Sequence, residues 1–142
     1  MNVAIIGSGS WATALAKIVM HNTSEINWHI RKQETIDEFV EIRRNPNHLE
    51  WAYFDVSRIH FSADINAVIE QSDLLVLAIP SPYLKQSLND ITVDMSQKMV
   101  ISAVKGMIPD ENLLVTEYLH KYFNVPNENL GVIAGPCHAE EI

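Results

Sequence analysis

The segment Gly7-Ser8-Gly9-Ser10-Trp11-Ala12 constrains the fold more than any other part of the chain. It has the form G-x-G-x-x-A, follows a continuous apolar run at residues 3–6 and opens a helix-like stretch at residues 10–20. Each position has a physical job. Gly7 permits a tight turn, Gly9 lets the backbone approach a pyrophosphate, and the small Ala12 lets the helix pack close to a sheet. The helix N-terminus beyond, with its free N–H groups and positive dipole end, faces the phosphates. Ser10 is expected to cap that helix. The bland alternative is an ordinary glycine-rich turn, but a βαβ unit that begins with this loop points to dinucleotide binding.

The rest of the chain alternates in the same way. Short apolar runs at residues 26–30, 59–61, 74–79, 99–104 and 130–134 read as buried strands. Between them, residues 33–44, 65–70 and 111–123 read as helices, the first closed by Pro46. Leu15, Ile18 and Val19 form the apolar face of the first helix, and Val115, Leu119 and Tyr122 that of the last. Residues 45–53 show no period and are expected to be loop. Strands alternating with helices imply right-handed crossovers and a doubly wound, mainly parallel α/β sheet of Rossmann type. The 142 residues fit one domain, residues 1–142. Because the last strand is followed by only a few residues, a fragment of a longer protein is expected.

Charge and cysteine usage narrow the partners. A net charge of −8 argues against nucleic acid, whose phosphates need a basic face. It leaves room for a nucleotide held by backbone amides and one or two local cations. No apolar run is long enough to span a membrane, and the first residues lack a signal-peptide pattern. A single cysteine, Cys137, allows no internal disulfide and suits a reducing cytoplasm.

Ligands of open parallel sheets bind outside the carboxyl ends of the strands. Pro80-Ser81-Pro82, Lys105-Gly106 and Gly135-Pro136-Cys137-His138-Ala139 follow three such ends. Lys105 suits a substrate phosphate or carbonyl oxygen, and a lysine merely exposed as its strand leaves the core is the alternative. The end of the second strand decides between cofactors. Ile30-Arg31-Lys32 stands where an NAD site usually has a carboxylate, and the Arg31 guanidinium suits a 2′-phosphate, so NADP is favoured over NAD. Glu34 remains available to an NAD ribose. Cys137 and His138 lack a third orienting group and make a poor nucleophile–base pair. His21, His29, His48, His60 and His120 show no metal-ligand spacing, so no metal is expected. Trp28, Trp51 and Tyr53 are expected to be packing groups.

Taken together, these residues resemble the bacterial NAD(P)-dependent glycerol-3-phosphate dehydrogenases. The likeness rests on GSGSWATALA at 7–16, the N-x-x-H-L segment at 45–49, AIPS at 78–81, VKG at 104–106 and GPCHAEE at 135–141. Ala12 stands where the family usually has glycine, His48 where it has tyrosine, and Cys137 where it has serine. The resemblance implies that Gly7, Gly9, Ser10, Trp11, Arg31, Pro80, Lys105 and Ala139 line the dinucleotide. It implies that Lys105, Gly135 and Cys137 lie at the substrate. The implied reaction reduces dihydroxyacetone phosphate to sn-glycerol 3-phosphate for phospholipid synthesis. The family's main acid/base lysine belongs to a helical C-terminal domain that these residues do not include. The full-length protein is expected to be a homo-oligomer. Rival readings are another two-domain NAD(P)-dependent dehydrogenase and a non-catalytic nucleotide-sensing module.

Overall fold

Val3-Ala4-Ile5-Ile6 forms strand β1, buried along its whole length because it lies in the middle of a sheet covered on both faces. The structure, a computed structural model, describes residues 1–104, 107–108 and 110–133, and of Ser81 the backbone only. After β1 come α1 (Ser10–Val19), β2 (Ile26–His29), α2 (Gln33–Ile42), β3 (Ile59–Ser62), α3 (Ile65–Glu70) and β4 (Leu74–Leu77). These are followed by α4 (Ser81–Asn89), β5 (Met99–Ser102), β6 (Met107–Ile108), β7 (Leu113–Leu114), α5 (Val115–Phe123) and β8 (Leu130–Val132). Six strands make one sheet in the order β3-β2-β1-β4-β5-β8, every neighbouring pair parallel. That is a Rossmann-type sheet, as the alternation of elements predicts. Its strand order reverses between β1 and β4.

The pleat of β1 sorts the core into two layers. Ala4 and Ile6 join the cluster built with Ile65, Leu84, Leu88 and Leu119 of α3, α4 and α5. Val3 and Ile5 face the other way, toward Ala12, Ala16, Ile36 and Phe39 of α1 and α2. Burying each such Leu or Ile contributes about 1.5–3 kcal/mol. Trp28 of β2 organises the second layer, its ring centroid 5.2 Å from Phe39, 5.5 Å from Phe54 and 5.6 Å from Phe61. Among the described residues, no helix is long and apolar enough to cross a membrane.

Several expectations need correction. Residues 81–89 form a helix, α4, although two prolines mark its start. Pro80 sits at the N-cap and Pro82 in the first turn, where a missing N–H breaks no helical bond. Residues 111–114 are not helical. Met107–Ile108 and Leu113–Leu114 pair as a short antiparallel hairpin, turned by Asp110 and Asn112 at φ of 70° and 55°. Asp and Asn tolerate that left-handed backbone. The helix therefore begins at Val115, with the Leu114 N–H donating to the Glu117 carboxylate at 2.8 Å. Strands β4 and β5 stop at Leu77 and Ser102, two residues earlier than expected. Ser10 is the first helical residue rather than the cap, which is Gly9. Ile18, Trp51 and Tyr53 are exposed rather than packed, and Tyr122 is exposed with its ring against Tyr118, centroids 4.7 Å apart.

Candidate functional site

The glycine turn lies where the sheet order reverses, between the carboxyl ends of β1 and β4. Gly7 has φ of +131°, and a Cβ built on it would stand 2.5 Å from the Ala78 carbonyl oxygen. Backbone conformation and close strand approach both exclude a side chain there. Gly9 differs: a Cβ on it meets nothing within 4 Å. Glycine at this position leaves open the space in front of the loop, which is the room a phosphate group needs. Ala12 is fully buried between α1 and the sheet, as a small third residue of the motif requires.

The loop is tied down from behind. Trp28 Nε1 donates to the Gly7 carbonyl at 2.7 Å, Asn45 Nδ2 to the Ser8 carbonyl at 2.9 Å, and Thr13 Oγ1 to the Gly9 carbonyl at 2.7 Å. Asn45, wholly buried, also donates to Thr13 Oγ1 and accepts from the Asn47 N–H, each at 2.9 Å. Its amide orientation is fixed, because a carbonyl only accepts and a backbone N–H only donates. Ser10 Oγ turns to His48 Nδ1 at 3.1 Å.

Two neighbouring clefts run from this loop. One, of ≈ 330 Å³, is lined by Gly9, Ser10, Trp11, Ala78, Ile79, Pro80, Pro82, Ala103 and Val104. Trp11 reaches across it, donating from Nε1 to the Ala103 carbonyl at 3.0 Å. The other, of ≈ 300 Å³, is lined by Gly7, Ser8, Gly9, His29, Arg31, His48, Ile79, Pro80, Tyr83 and Ser87. It continues past Arg31 and His48 to Lys32, Thr35 and Asn47. Glu34 lines neither. Among the described residues, Arg31 and Lys32 make no ion pair, so both charges face the cleft region uncompensated.

His29 lines the same cleft as Arg31 and is itself buried. Burial is the main force on its imidazole and pushes the pKa below the ordinary value of 6.5, against the Ser62 carbonyl bond and the Asp64 and Asp90 carboxylates. Its Nδ1 stands 3.0 Å from the Ser62 carbonyl and must therefore carry the proton. Nε2 is left as an acceptor.

Six sequence candidates thus meet at one edge, Gly7, Gly9, Ser10, Trp11, Arg31 and Pro80, with Ala12 packed in the core behind them. Lys105, Gly135, Cys137, His138 and Ala139 lie outside the described residues. Sequence reasoning missed Thr13, His29, Asn45 and Tyr83 as parts of this edge. The only signal for Asn45 was its place in the N-x-x-H-L segment. The donor set fits a dinucleotide: an open space in front of a glycine loop, a helix N-terminus, and cations at one end.

Comparison with known proteins points the same way. A family model for the N-terminus of NAD-dependent glycerol-3-phosphate dehydrogenase matches residues 2–142. A glycerol-3-phosphate dehydrogenase [NAD(P)+] of Oceanobacillus iheyensis is 31% identical over 147 residues, covering 99% of this chain and 40% of that protein. One from Ectopseudomonas mendocina is 29% identical over 140 residues, again covering 99% and 40%. The solved glycerol-3-phosphate dehydrogenase of Plasmodium falciparum superposes with a TM-score of 0.76 at 28% identity, covering 89% of this chain and 39% of that one. The chain spans about two fifths of the length of the curated relatives it matches.

Proposed function

The chain belongs to the NAD-dependent glycerol-3-phosphate dehydrogenase family, matching its N-terminal domain, and on that premise we propose that it is the cofactor-binding half of an enzyme interconverting dihydroxyacetone phosphate and sn-glycerol 3-phosphate. The observation that carries this reading is the glycine turn at the β1–β4 reversal, with Gly7 pressed on Ala78 and Gly9 open to the cleft. The Ser8–Ser10 amides hold the pyrophosphate. Arg31 pairs with the 2′-phosphate of NADP, the favoured cofactor, and has nothing comparable to grip in NAD. Trp11 and Pro80 bound the cleft that runs toward the end of β5 and receives the nicotinamide end.

When bound, the dinucleotide supplies the hydride. The chain's own part is to orient it and to steady the charge that develops on the substrate oxygen. Lys105 is the cation for that task, with Gly135 and Cys137 at the substrate and Ala139 at the cofactor. Thiol sulfur is a weak hydrogen-bond donor, so Cys137 grips a substrate hydroxyl more loosely than the family's serine. The main acid/base lysine comes from the family's helical C-terminal domain. The work belongs in the cytoplasm, in a homo-oligomer serving phospholipid synthesis.

Calorimetric titration with NADPH and NADH is the first test. No heat and no thermal shift at millimolar cofactor would refute the reading. The second is NADPH oxidation dependent on dihydroxyacetone phosphate in the full-length enzyme. There, Lys105→Ala is expected to lower turnover by about 10²-fold or more, since it removes a fixed cation near developing negative charge. Unchanged kcat and KM would leave Lys105 without a part in the reaction.

A further inference from the structure

Three consecutive carbonyls of the glycine loop are each held by a side chain from a different part of the fold. Trp28 comes from β2, Asn45 from the segment after α2, and Thr13 from the second turn of α1. All three are fully buried. In a trans peptide the C=O of one residue and the N–H of the next point in opposite directions. Pulling the Gly7, Ser8 and Gly9 oxygens inward therefore turns the Ser8, Gly9 and Ser10 N–H groups outward. Among the described residues, those N–H groups donate to no other protein atom.

We propose that Trp28, Asn45 and Thr13 act as a buried lock that aims these three amides at the phosphates of the dinucleotide. They are positioning residues: cofactor affinity depends on side chains that never touch the cofactor. The inference rests on the reading of the loop as a dinucleotide site. It adds what that reading leaves open, namely why the amides point at the ligand before it arrives. The Gly9 carbonyl also accepts the Thr13 N–H at 3.0 Å, the first bond of α1, so the side chains matter most for the Gly7 and Ser8 peptide planes, whose rotation anion binding would otherwise have to stop. Thr13 is the hub. Its hydroxyl donates to Gly9 and accepts from Asn45, so one group joins two arms of the lock.

Thr13→Val keeps shape and volume but removes the hub, and Thr13→Ser restores the hydroxyl without the methyl. Trp28→Phe keeps an aromatic ring among Phe39, Phe54 and Phe61 while deleting the N–H donor. Thr13→Val is expected to weaken NADPH by about tenfold, with Thr13→Ser close to wild type and the Thr13→Val/Trp28→Phe double variant weaker still. Equal NADPH dissociation constants in wild type, Thr13→Val and Trp28→Phe would overturn the lock. A structural role alone would lower unfolding temperature in Thr13→Val yet leave the loop amides in place. Nitrogen–proton correlation spectra of the ligand-free protein, titrated with inorganic pyrophosphate, separate the two. In wild type, the Ser8, Gly9 and Ser10 resonances should respond together. In Thr13→Val they should start elsewhere and respond less. If the wild-type protein binds no dinucleotide, the proposed function falls. The lock is then still judged by the ligand-free spectra, and unshifted loop amides in Thr13→Val would end it.

Discussion

The indole nitrogen of Trp11 donates to the carbonyl oxygen of Ala103 at 3.0 Å, fastening the first turn of α1 to the chain just beyond β5. These two residues are 92 positions apart, and their bond spans the cleft beside the glycine loop. Trp11→Phe keeps a ring in the cleft wall and deletes the donor. A cost of about 1 kcal/mol is expected, read as a rise of about fivefold in the NADPH dissociation constant. Equal affinities would mean that the ring packs in place without its bond.

Gly7 and Gly9 should respond in opposite ways to the same change. Gly7→Ala forces a side chain into φ of +131° and against the Ala78 backbone. Strain alone should cost roughly 1–3 kcal/mol, visible as a loss in denaturant midpoint. Gly9→Ala meets no protein atom and sits in extended backbone at φ −79°. Its stability should hold or rise by about 0.4–1 kcal/mol while NADPH binding weakens by about tenfold or more. A Gly9→Ala variant that binds normally would show that no ligand occupies that space.

Arg31→Asp tests the cofactor preference. It removes a charge-assisted bond worth roughly 1.5–3 kcal/mol and sets an anion against the 2′-phosphate. NADPH should weaken by about 100-fold, while NADH is spared or improved because a carboxylate accepts from a free 2′-hydroxyl. The ratio of the two dissociation constants is the measurement. A constant ratio would leave Arg31 pointing at solvent.

His29 should make stability depend on pH in one direction. Burial holds its folded pKa below the ordinary 6.5. Above that value the imidazole is neutral in both folded and unfolded chains, and its contribution is fully present. As pH falls below 6.5, the unfolded chain takes up the proton first, and stability drops until the folded pKa is passed. The slope from one proton cannot exceed about 1.4 kcal/mol per pH unit. Urea unfolding of wild type and His29→Gln between neutral and mildly acid pH should diverge in that sense. Parallel curves would remove His29 from the account.

What the sequence made legible was local. The apolar run before Gly7, the motif itself and the cation at Arg31 lie within a few residues of the structure they specify. So do the short buried strands, whose continuous Val, Ile and Leu content suits a sheet covered on both faces. Helix α4 was hidden because Pro80 and Pro82 read as a stop, while in a first turn proline serves as a start. The hairpin before α5 was hidden because Asp110 and Asn112 turn the backbone in two places that no apolar period marks. The role of Asn45 was illegible for a different reason. Its partners Ser8 and Thr13 lie 37 and 32 residues away, and nothing in an Asn-Pro dipeptide distinguishes a buried amide from a surface turn.

The central place of β1 in the sheet bears on how the molecule comes into being. Strand β1 takes β4 as one of its two neighbours, and Asn2 bonds to Asp73, 71 residues further along. During synthesis Val3–Ile6 must therefore wait, apolar and half paired, until residues 74–77 have followed it. Such distant parallel pairing makes for slow folding and a long exposure to misassociation. The glycine turn takes its shape only when Ala78 arrives to press on Gly7. A dinucleotide consequently has nothing to hold in the nascent chain. Binding only the finished turn, it is expected to slow unfolding rather than to speed folding.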